Sequence, residues 1–498
     1  MVYLFQGHTK KVVQIINTAF LRSKRSIERK KIMKTSKRVL AAMLSLVTIF
    51  SVTACSGGGS STTTEATTTS NTLDDDINNP VDVSEIVENQ GEKKELENPD
   101  LTYFGFYDMR VAGDIKPGVK MFEETYGGKI DYEQVAWNDR VDKLLTLIVS
   151  DQSPDLVDKE DNSFPHLMSR STYTDLTGYI DLSQPQWAGY EDLIEQYAYG
   201  GKHYYYPFTA SALNNCLIYN KTLFDQYGLD DPLDKYNSNE WTWTTFKQAM
   251  IDFMKAAPDT AIGGIYGLVG NDIILSTGTP MIGKDESGKL VNNMSTASVE
   301  RAANFLEEIR KEGLAVRGDG MWSNEHEPLA SGKTAFLGVG TWKLTDFIKR
   351  YPDNEFGMVP FPRDEKADAY YYGSSNFGYF VPAGSKNVEG AAAFIDIMRL
   401  CKTDPDIVSV VNESIMNDKK YSQEQFDFLS QFEEIANYDM VINMAYGFNS
   451  ETSTLIDDIL VNVAFAQGEE QQSWSSLRTS YEGVLQDTLD QYNALLAG

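Results

Sequence analysis

The sequence predicts an α/β protein, and three observations carry that prediction. Between residues 101 and 157, short apolar runs alternate with amphipathic helical segments in the order strand, helix, strand, helix, strand. That alternation builds a parallel sheet with helices on its faces. The chain of 498 residues is long enough for two or three domains. Its later turn residues are short and dispersed, so no second linker divides the folded part and two lobes must share chain crossings.

The elements begin behind a leader. Cys55 closes Val52-Thr53-Ala54-Cys55 after an apolar run over 39–54, with Lys34, Lys37 and Arg38 ahead of it and Ser56-Gly57-Gly58-Gly59-Ser60 behind. The order resembles the lipobox of a bacterial lipoprotein signal peptide, which implies cleavage before Cys55 and lipid on its thiol. As an uncleaved anchor the run is about four residues short of a usual span. Met33 reads as the natural start, which makes residues 1–32 an extension from a misassigned start. The rival reading of 1–32 is a basic amphipathic helix on the membrane surface, with Val12, Val13, Ile15, Ile16 and Phe20 against Lys10, Lys11, Arg22, Lys24 and Arg25. Residues 55–98, rich in Gly, Ser and Thr and then in Asp, Asn and Glu, read as a disordered tether.

Residues 1–54 hold 11 Lys and Arg and one acid, Glu28, so the 444 residues from Cys55 onward carry 33 bases against 71 acids, a net charge of −38. Such a surface repels nucleic acid and anionic headgroups, which excludes both as partners. Of three cysteines, Cys55 is assigned to lipid, and Cys216 and Cys401 read as separate buried thiols, although a disulfide is possible in an exported protein. Four scattered His lack metal-ligand spacing, and nothing in the sequence asks for a cofactor.

In the folded part, residues 101–107 read as a strand. Asp114 is placed to cap a helix to Tyr126, which Gly127-Gly128 stop. A second strand is expected over 129–135. A helix follows from Asn138 or Asp139, with Val141, Leu144, Leu145 and Ile148 on one face, and then a short strand over 155–157. Ser295 or Thr296 caps a helix ended by Gly313, and further helices span 387–400 and 473–496. Ligands on such sheets sit beyond the carboxyl ends of the strands.

Several blocks occur in a telling order: Leu101-Thr102-Tyr103-Phe104-Gly105-Phe106, Phe122-Glu123-Glu124-Thr125-Tyr126, Lys143-Leu144, Ser153-Pro154-Asp155-Leu156 and Tyr206-Pro207-Phe208. Ile218-Tyr219-Asn220-Lys221-Thr222-Leu223-Phe224, Trp243-Thr244-Thr245-Phe246, the stretch 329–342, Pro360-Phe361-Pro362 and Gly384-Ser385-Lys386-Asn387 follow. Together they resemble family 1 of the extracellular solute-binding proteins, the maltose-binding-protein-like receptors of sugar ABC importers. The resemblance covers about residues 99–400 and fades beyond 401. It implies the periplasmic-binding-protein-like type II fold, two α/β lobes with a hinge and an interlobe ligand cleft. Crossings are implied near 206–213 and 359–362, with a third beyond Cys401. The first lobe then takes 99–208 and a return segment 362–405, the second lobe 209–361, and the helical region 406–498 falls mostly to the second lobe.

A sugar cleft needs flat aromatic platforms for C–H faces and short polar groups for hydroxyls. Trp342, after Gly338-Val339-Gly340-Thr341, matches the family tryptophan that stacks on sugar. Trp322 lies in a polar loop, and Trp137 opens a helix as a platform or a cover for the sheet. Trp241 and Trp243 match a structural helix start and read as core. Tyr206 is the candidate from Tyr204-Tyr205-Tyr206, and Ser211 falls near a position that is polar in relatives. Tyr372 and Asn376 come from the aromatic-then-polar run 370–376, and Glu160 and Asn162 from the loop after the 155–157 strand. Asp108 stands just past the first strand, and Tyr446 and Phe448 are late aromatic candidates. For each, ordinary packing or solvation is the competing reading.

Other chemistries fail. Ser331-Gly332-Lys333-Thr334 mimics the end of a phosphate loop, but the first glycine would fall on Glu327. No Gly-x-Ser-x-Gly elbow stands between a strand and a helix. Glu325-His326-Glu327 reads as a polar surface turn. The sequence thus points to a monomeric, non-enzymatic binding lipoprotein on the outer face of the cell membrane. By resemblance it carries a mono- or oligosaccharide to ABC permease subunits served by a separate ATPase. The alternatives are the same fold with another solute or serving a sensor, and a surface glycoside hydrolase, which needs two facing carboxylates.

Overall fold

The computed structural model describes residues 81–89, 95–257, 261–317 and 326–496. Cys55 and the segments 1–32 and 33–54 lie outside them, as does Trp322. Among the described residues no helix is long and apolar enough to cross a membrane.

The first sheet grows from the alternation near residue 100. Strands β1 (Leu101–Gly105), β2 (Ile130–Gln134) and β3 (Leu156–Asp158) run parallel with β1 in the middle. Leu101 and Tyr103 enter the core. The helix before β2 spans Lys116–Tyr126 and differs from expectation at its start: Ile115 is the N-cap without a side-chain bond, Pro117 fills the first turn, and Asp114 does not cap. Gly127 ends it in the left-handed region, φ 71°. The next helix, Arg140–Val149, starts late because Trp137–Asp139 first form a 3-10 turn.

Part of the expected tether is ordered. Ser84–Asn89 form a helix packed on Lys116–Tyr126, and Val83 is fully buried. The polar composition of 55–98 hid the apolar spacing of Val81, Val83, Ile86 and Val87, which join the first lobe's core.

Chain crossing occurs at a two-stranded ribbon. Strand β4 (Thr209–Ser211) leaves the first lobe and leads into a second sheet built from β5 (Asn215–Asn220), β6 (Gly263–Gly267), β9 (Thr334–Gly340) and β10 (Phe356–Val359), in the order β10-β5-β9-β6. Between β6 and β9 lies the hairpin β7–β8 (Ile282–Lys284, Leu290–Asn292). The expected return near 359–362 is corrected. β10 is still paired with β5 at Val359, the Trp241 indole donates to the Pro360 carbonyl (2.8 Å), and Arg301 pairs with Asp364 (2.6 Å). These bonds hold 360–370 on the second lobe. β11 (Tyr371–Gly373) follows, then β12 (Ser375–Phe377) returns antiparallel to β4, and β13 (Tyr379–Phe380) joins the first sheet beside β3. The third approach to the ribbon is β14 (Asp439–Val441), parallel to β11.

The C-terminal region packs mostly on the second lobe, with one helix given to the first. Helix Pro405–Lys419 packs on Lys116–Tyr126 of the first lobe, whereas Ser450–Phe465 and Trp474–Leu496 pack on Ala297–Lys311 of the second. The last helix still reaches the first lobe, where the Tyr492 hydroxyl lies 2.7 Å from His166 Nδ1. Cys216 and Cys401 are free and buried, and Trp241 and Trp243 are core residues.

Gly378 lies where the returning strand passes the outgoing one. A Cβ there would stand 2.9 Å from the Tyr205 ring, 2.9 Å from the Tyr206 carbonyl oxygen and 3.1 Å from Pro207 Cα. Gly378→Ala is expected to cost about 1–3 kcal/mol through overpacking, read as a Tm lowered by several degrees in calorimetry.

Candidate ligand-binding cleft

Strand pairing fixes where the loops converge. Asp158, the last residue of β3, pairs with Tyr379, just beyond the ribbon strand β12. Gly340, the last residue of β9, pairs with Asn215, at the start of the strand that β4 leads into. Both sheets therefore turn their carboxyl edges toward the same ribbon. The loops after β1, β2 and β3 form one wall of a cleft, and those after β6 and β9 form the other.

The first wall is aromatic and charged. Trp137 is 55% exposed and Phe106 is 40% exposed, their rings edge-on at 4.6 Å. Arg140 lies under Trp137 and pairs with Glu160 at 2.6 Å. Asp108 is engaged by Arg110 in a forked pair, Oδ1 to Nε 2.9 Å and Oδ2 to Nη2 2.6 Å. Asn162 sits half-buried in the 3-10 turn Asp161–Ser163. Behind these, the buried Asp158 accepts hydrogen bonds from the hydroxyls of Tyr103 (2.7 Å) and Tyr107 (3.2 Å). Burial pushes its carboxyl up to about 6, while the two tyrosines and the Arg140 charge pull against that rise.

The second wall carries Trp342 on the 3-10 turn Thr341–Lys343, 57% exposed. Its ring lies over Gly340, where a Cβ would stand 1.8 Å from ring carbon Cζ3. Gly340 has φ −62°, a conformation any residue adopts, so the absent side chain serves the indole and not the backbone. Beyond β6, the buried Asp272 accepts from Asn215 Nδ2 at 3.0 and 3.2 Å. Burial lifts its carboxyl to about 7, with the Asn215 bond opposing. Beside it, the buried Asn271 Oδ1 has no partner.

Residues 108–399 match the bacterial extracellular solute-binding protein family. The chain belongs to that family. Its members, as the description says, bind solutes outside the cytoplasm. This binding protein is 24% identical over 287 residues to the diacetylchitobiose binding protein DasA of Streptomyces coelicolor, covering 56% of this chain and 64% of DasA. The match thus spans less than two thirds of that relative. The fold is that of the GacH receptor of Streptomyces glaucescens, solved unliganded and with acarbose (TM-score 0.57, 19% identity, 79% of this chain and 100% of that one). It is equally that of UgpB from Mycobacterium tuberculosis in complex with glycerophosphocholine (TM-score 0.59, 14% identity, 78% and 99%). The type II fold with two α/β lobes expected from the sequence is the fold observed.

The binding protein brings Trp137, Asp108, Glu160 and Asn162 to one wall and Trp342 to the other. Other sequence candidates are placed elsewhere. Tyr206 is 1% exposed, edge-on to Trp187, with no free face. Tyr372 is buried and bonds the Tyr236 hydroxyl at 2.9 Å, while its neighbour Tyr371 is half-exposed because alternate residues of a strand face opposite ways. Asn376 is buried and donates to the Tyr197 hydroxyl at 2.8 Å, so it braces the ribbon. Phe448 is fully buried against Tyr492, and Tyr446 is half-buried against the same core. Ser211 Oγ accepts from Leu213 N at 3.1 Å, closing a local turn at the hinge. His326, expected in a surface turn, is buried against Phe347. Asp272, Asn271 and Asn215 were missed. Their signal was a polar pair, Asn271-Asp272, standing before the apolar run Ile273-Ile274-Leu275 just past a strand.

Two outcomes test this geometry. Gly340→Ala is expected to displace the Trp342 ring without unfolding the chain, seen as a shifted tryptophan emission at unchanged far-UV circular dichroism. Asp158 and Asp272 hold protons in the folded state that the unfolded chain releases near pH 4, so both withdraw stability as pH rises to about 6 and about 7 respectively. Asp272→Asn, which keeps an acceptor for Asn215, is expected to flatten that decline, so its Tm advantage over the parent grows from pH 5 to pH 8.

Proposed function

We propose that this solute-binding protein captures a mono- or oligosaccharide between its lobes and delivers it to the permease subunits of an ABC importer, whose ATPase is a separate chain. Lipid on Cys55 would hold it at the outer face of the cell membrane as a monomer. The observation that carries the reading is the pair of exposed tryptophans, Trp137 and Trp342, one on each wall of the cleft. Indole faces complement the C–H faces of a sugar ring, and the polar groups around them, Asn162, Asn215 and Asp272, suit hydroxyls. Closure of the lobes about the ribbon would then shield both.

Charge favours a neutral ligand over an anionic one. Arg110 and Arg140 are each engaged by a carboxylate, Asp108 and Glu160. DasA's description as a diacetylchitobiose binding protein supports the sugar reading.

A thermal-shift screen of the purified protein against a saccharide library, followed by calorimetric titration of the best ligand, tests this. Trp342→Ala and Trp137→Ala are each expected to weaken binding at least tenfold, about 1.4 kcal/mol, with the sugar recovered unaltered. Unchanged affinity in both folded variants would remove the tryptophans from the site. Cleaved glycosidic bonds in the recovered sugar would replace the binding reading with a hydrolase.

A further inference from the structure

Trp137 and Arg140 stand three residues apart at a 3-10 turn, where side chains at i and i+3 eclipse. The guanidinium carbon lies 3.4 Å from the centroid of the Trp137 ring. An in-plane approach at that distance would overlap ring atoms, so the guanidinium covers one face. It is held there on several sides. An Nη2 contact reaches Glu160 at 2.6 Å, Nε donates to the Trp137 carbonyl at 3.0 Å, and the Phe106 ring lies 5.2 Å away. Arg140 is only 8% exposed, yet Trp137 stays 55% exposed. With one face under Arg140 and Phe106 edge-on beside the ring, the exposed area belongs to the opposite face.

We infer that Arg140, locked by Glu160, is a positioning residue that makes Trp137 a one-sided platform for a single neutral sugar ring. The inference rests on the saccharide-binding reading above. A surface indole with free torsions loses rotamer freedom when a ligand settles on it, and a ring already clamped from behind loses less. The clamp also forbids a second ring from stacking behind Trp137, so the next contact along an oligosaccharide must come from elsewhere. Trp342 is backed differently, by the bare backbone of Gly340, and needs no cation.

The test uses the double variant Arg140→Met/Glu160→Gln, which removes both charges together and avoids a stranded buried ion. In the unliganded protein, the Trp137 signal is isolated as the difference in near-UV circular dichroism between each protein and its Trp137→Ala counterpart. The expected result is a loss of at least half of that signal at unchanged far-UV dichroism. Maltotetraose and N,N′-diacetylchitobiose serve as binding probes. Their Kd is expected to rise three- to tenfold in the double variant and not to rise further when the double substitution is added to Trp137→Ala. An intact Trp137 signal in the double variant overturns the positioning role, as does an equal loss of affinity in the Trp137→Ala background. If the probes fail to bind the parent protein, the sugar reading loses support while the spectroscopic result still decides the clamp.

Discussion

The antiparallel pairing of β4 with β12 is the constraint on which the site depends. This ribbon is short, Thr209 to Ser211 against Phe377 to Ser375, yet it is anchored heavily on both sides. On the first lobe, Tyr205 stacks on Phe380 at 4.8 Å and Phe380 on Tyr173 at 4.0 Å, while Arg399 donates to the Phe208 carbonyl from a seat over the Tyr190 ring. On the second lobe, Ala212 N donates to the Phe432 carbonyl and Asn214 N to that of Gly373. With both ends gripped, the few residues between the anchors are the unbraced link between the lobes, the place where a hinge is usually found.

Because both sheets attach within a few residues of that ribbon, their carboxyl edges have no choice of neighbour. The two walls then solve one problem by different means. Each leaves an indole more than half exposed while part of the ring rests on protein. On the first wall a guanidinium does this, neutralised by Glu160. On the second a glycine does it. Each wall also keeps a buried carboxyl with a raised proton affinity, Asp158 beneath Tyr103 and Tyr107, and Asp272 beside Asn215. Burial raises both carboxyls, to about 6 for Asp158 and about 7 for Asp272, so each keeps its proton to a higher pH than an exposed aspartate does.

Legibility from the sequence followed the physical range of the signal. Strand–helix alternation is local, so β1, β2, β3 and the helices between them stand within a residue or two of where periodicity put them. Trp137 and Trp342 lie in turns directly after strands and emerge exposed where the sequence placed them. Tyr206 and Tyr372 come from runs of three tyrosines, where composition marks the run; strand parity turns Tyr372 inward in β11, while Tyr206, outside any strand, is covered by its partner surface. Phe448 is held by Tyr492, a residue far along the chain, and no local pattern reports such a contact.

By itself the sequence determined the α/β class and the Gly127 and Gly313 helix stops, since each depends on neighbours a few residues apart, whereas the first crossing was implied by the family resemblance. Tertiary structure alone decided the rest. The return crossing moved from 359–362 to β12 because Trp241, Arg301 and β5 hold that stretch on the second lobe. Helix Pro405–Lys419 was drawn onto the first lobe, and Asp272 was buried beside Asn215, 57 residues away in the chain. Burial and long-range pairing are properties of surfaces that meet only once the chain has folded, and a linear pattern carries no record of which surfaces those are.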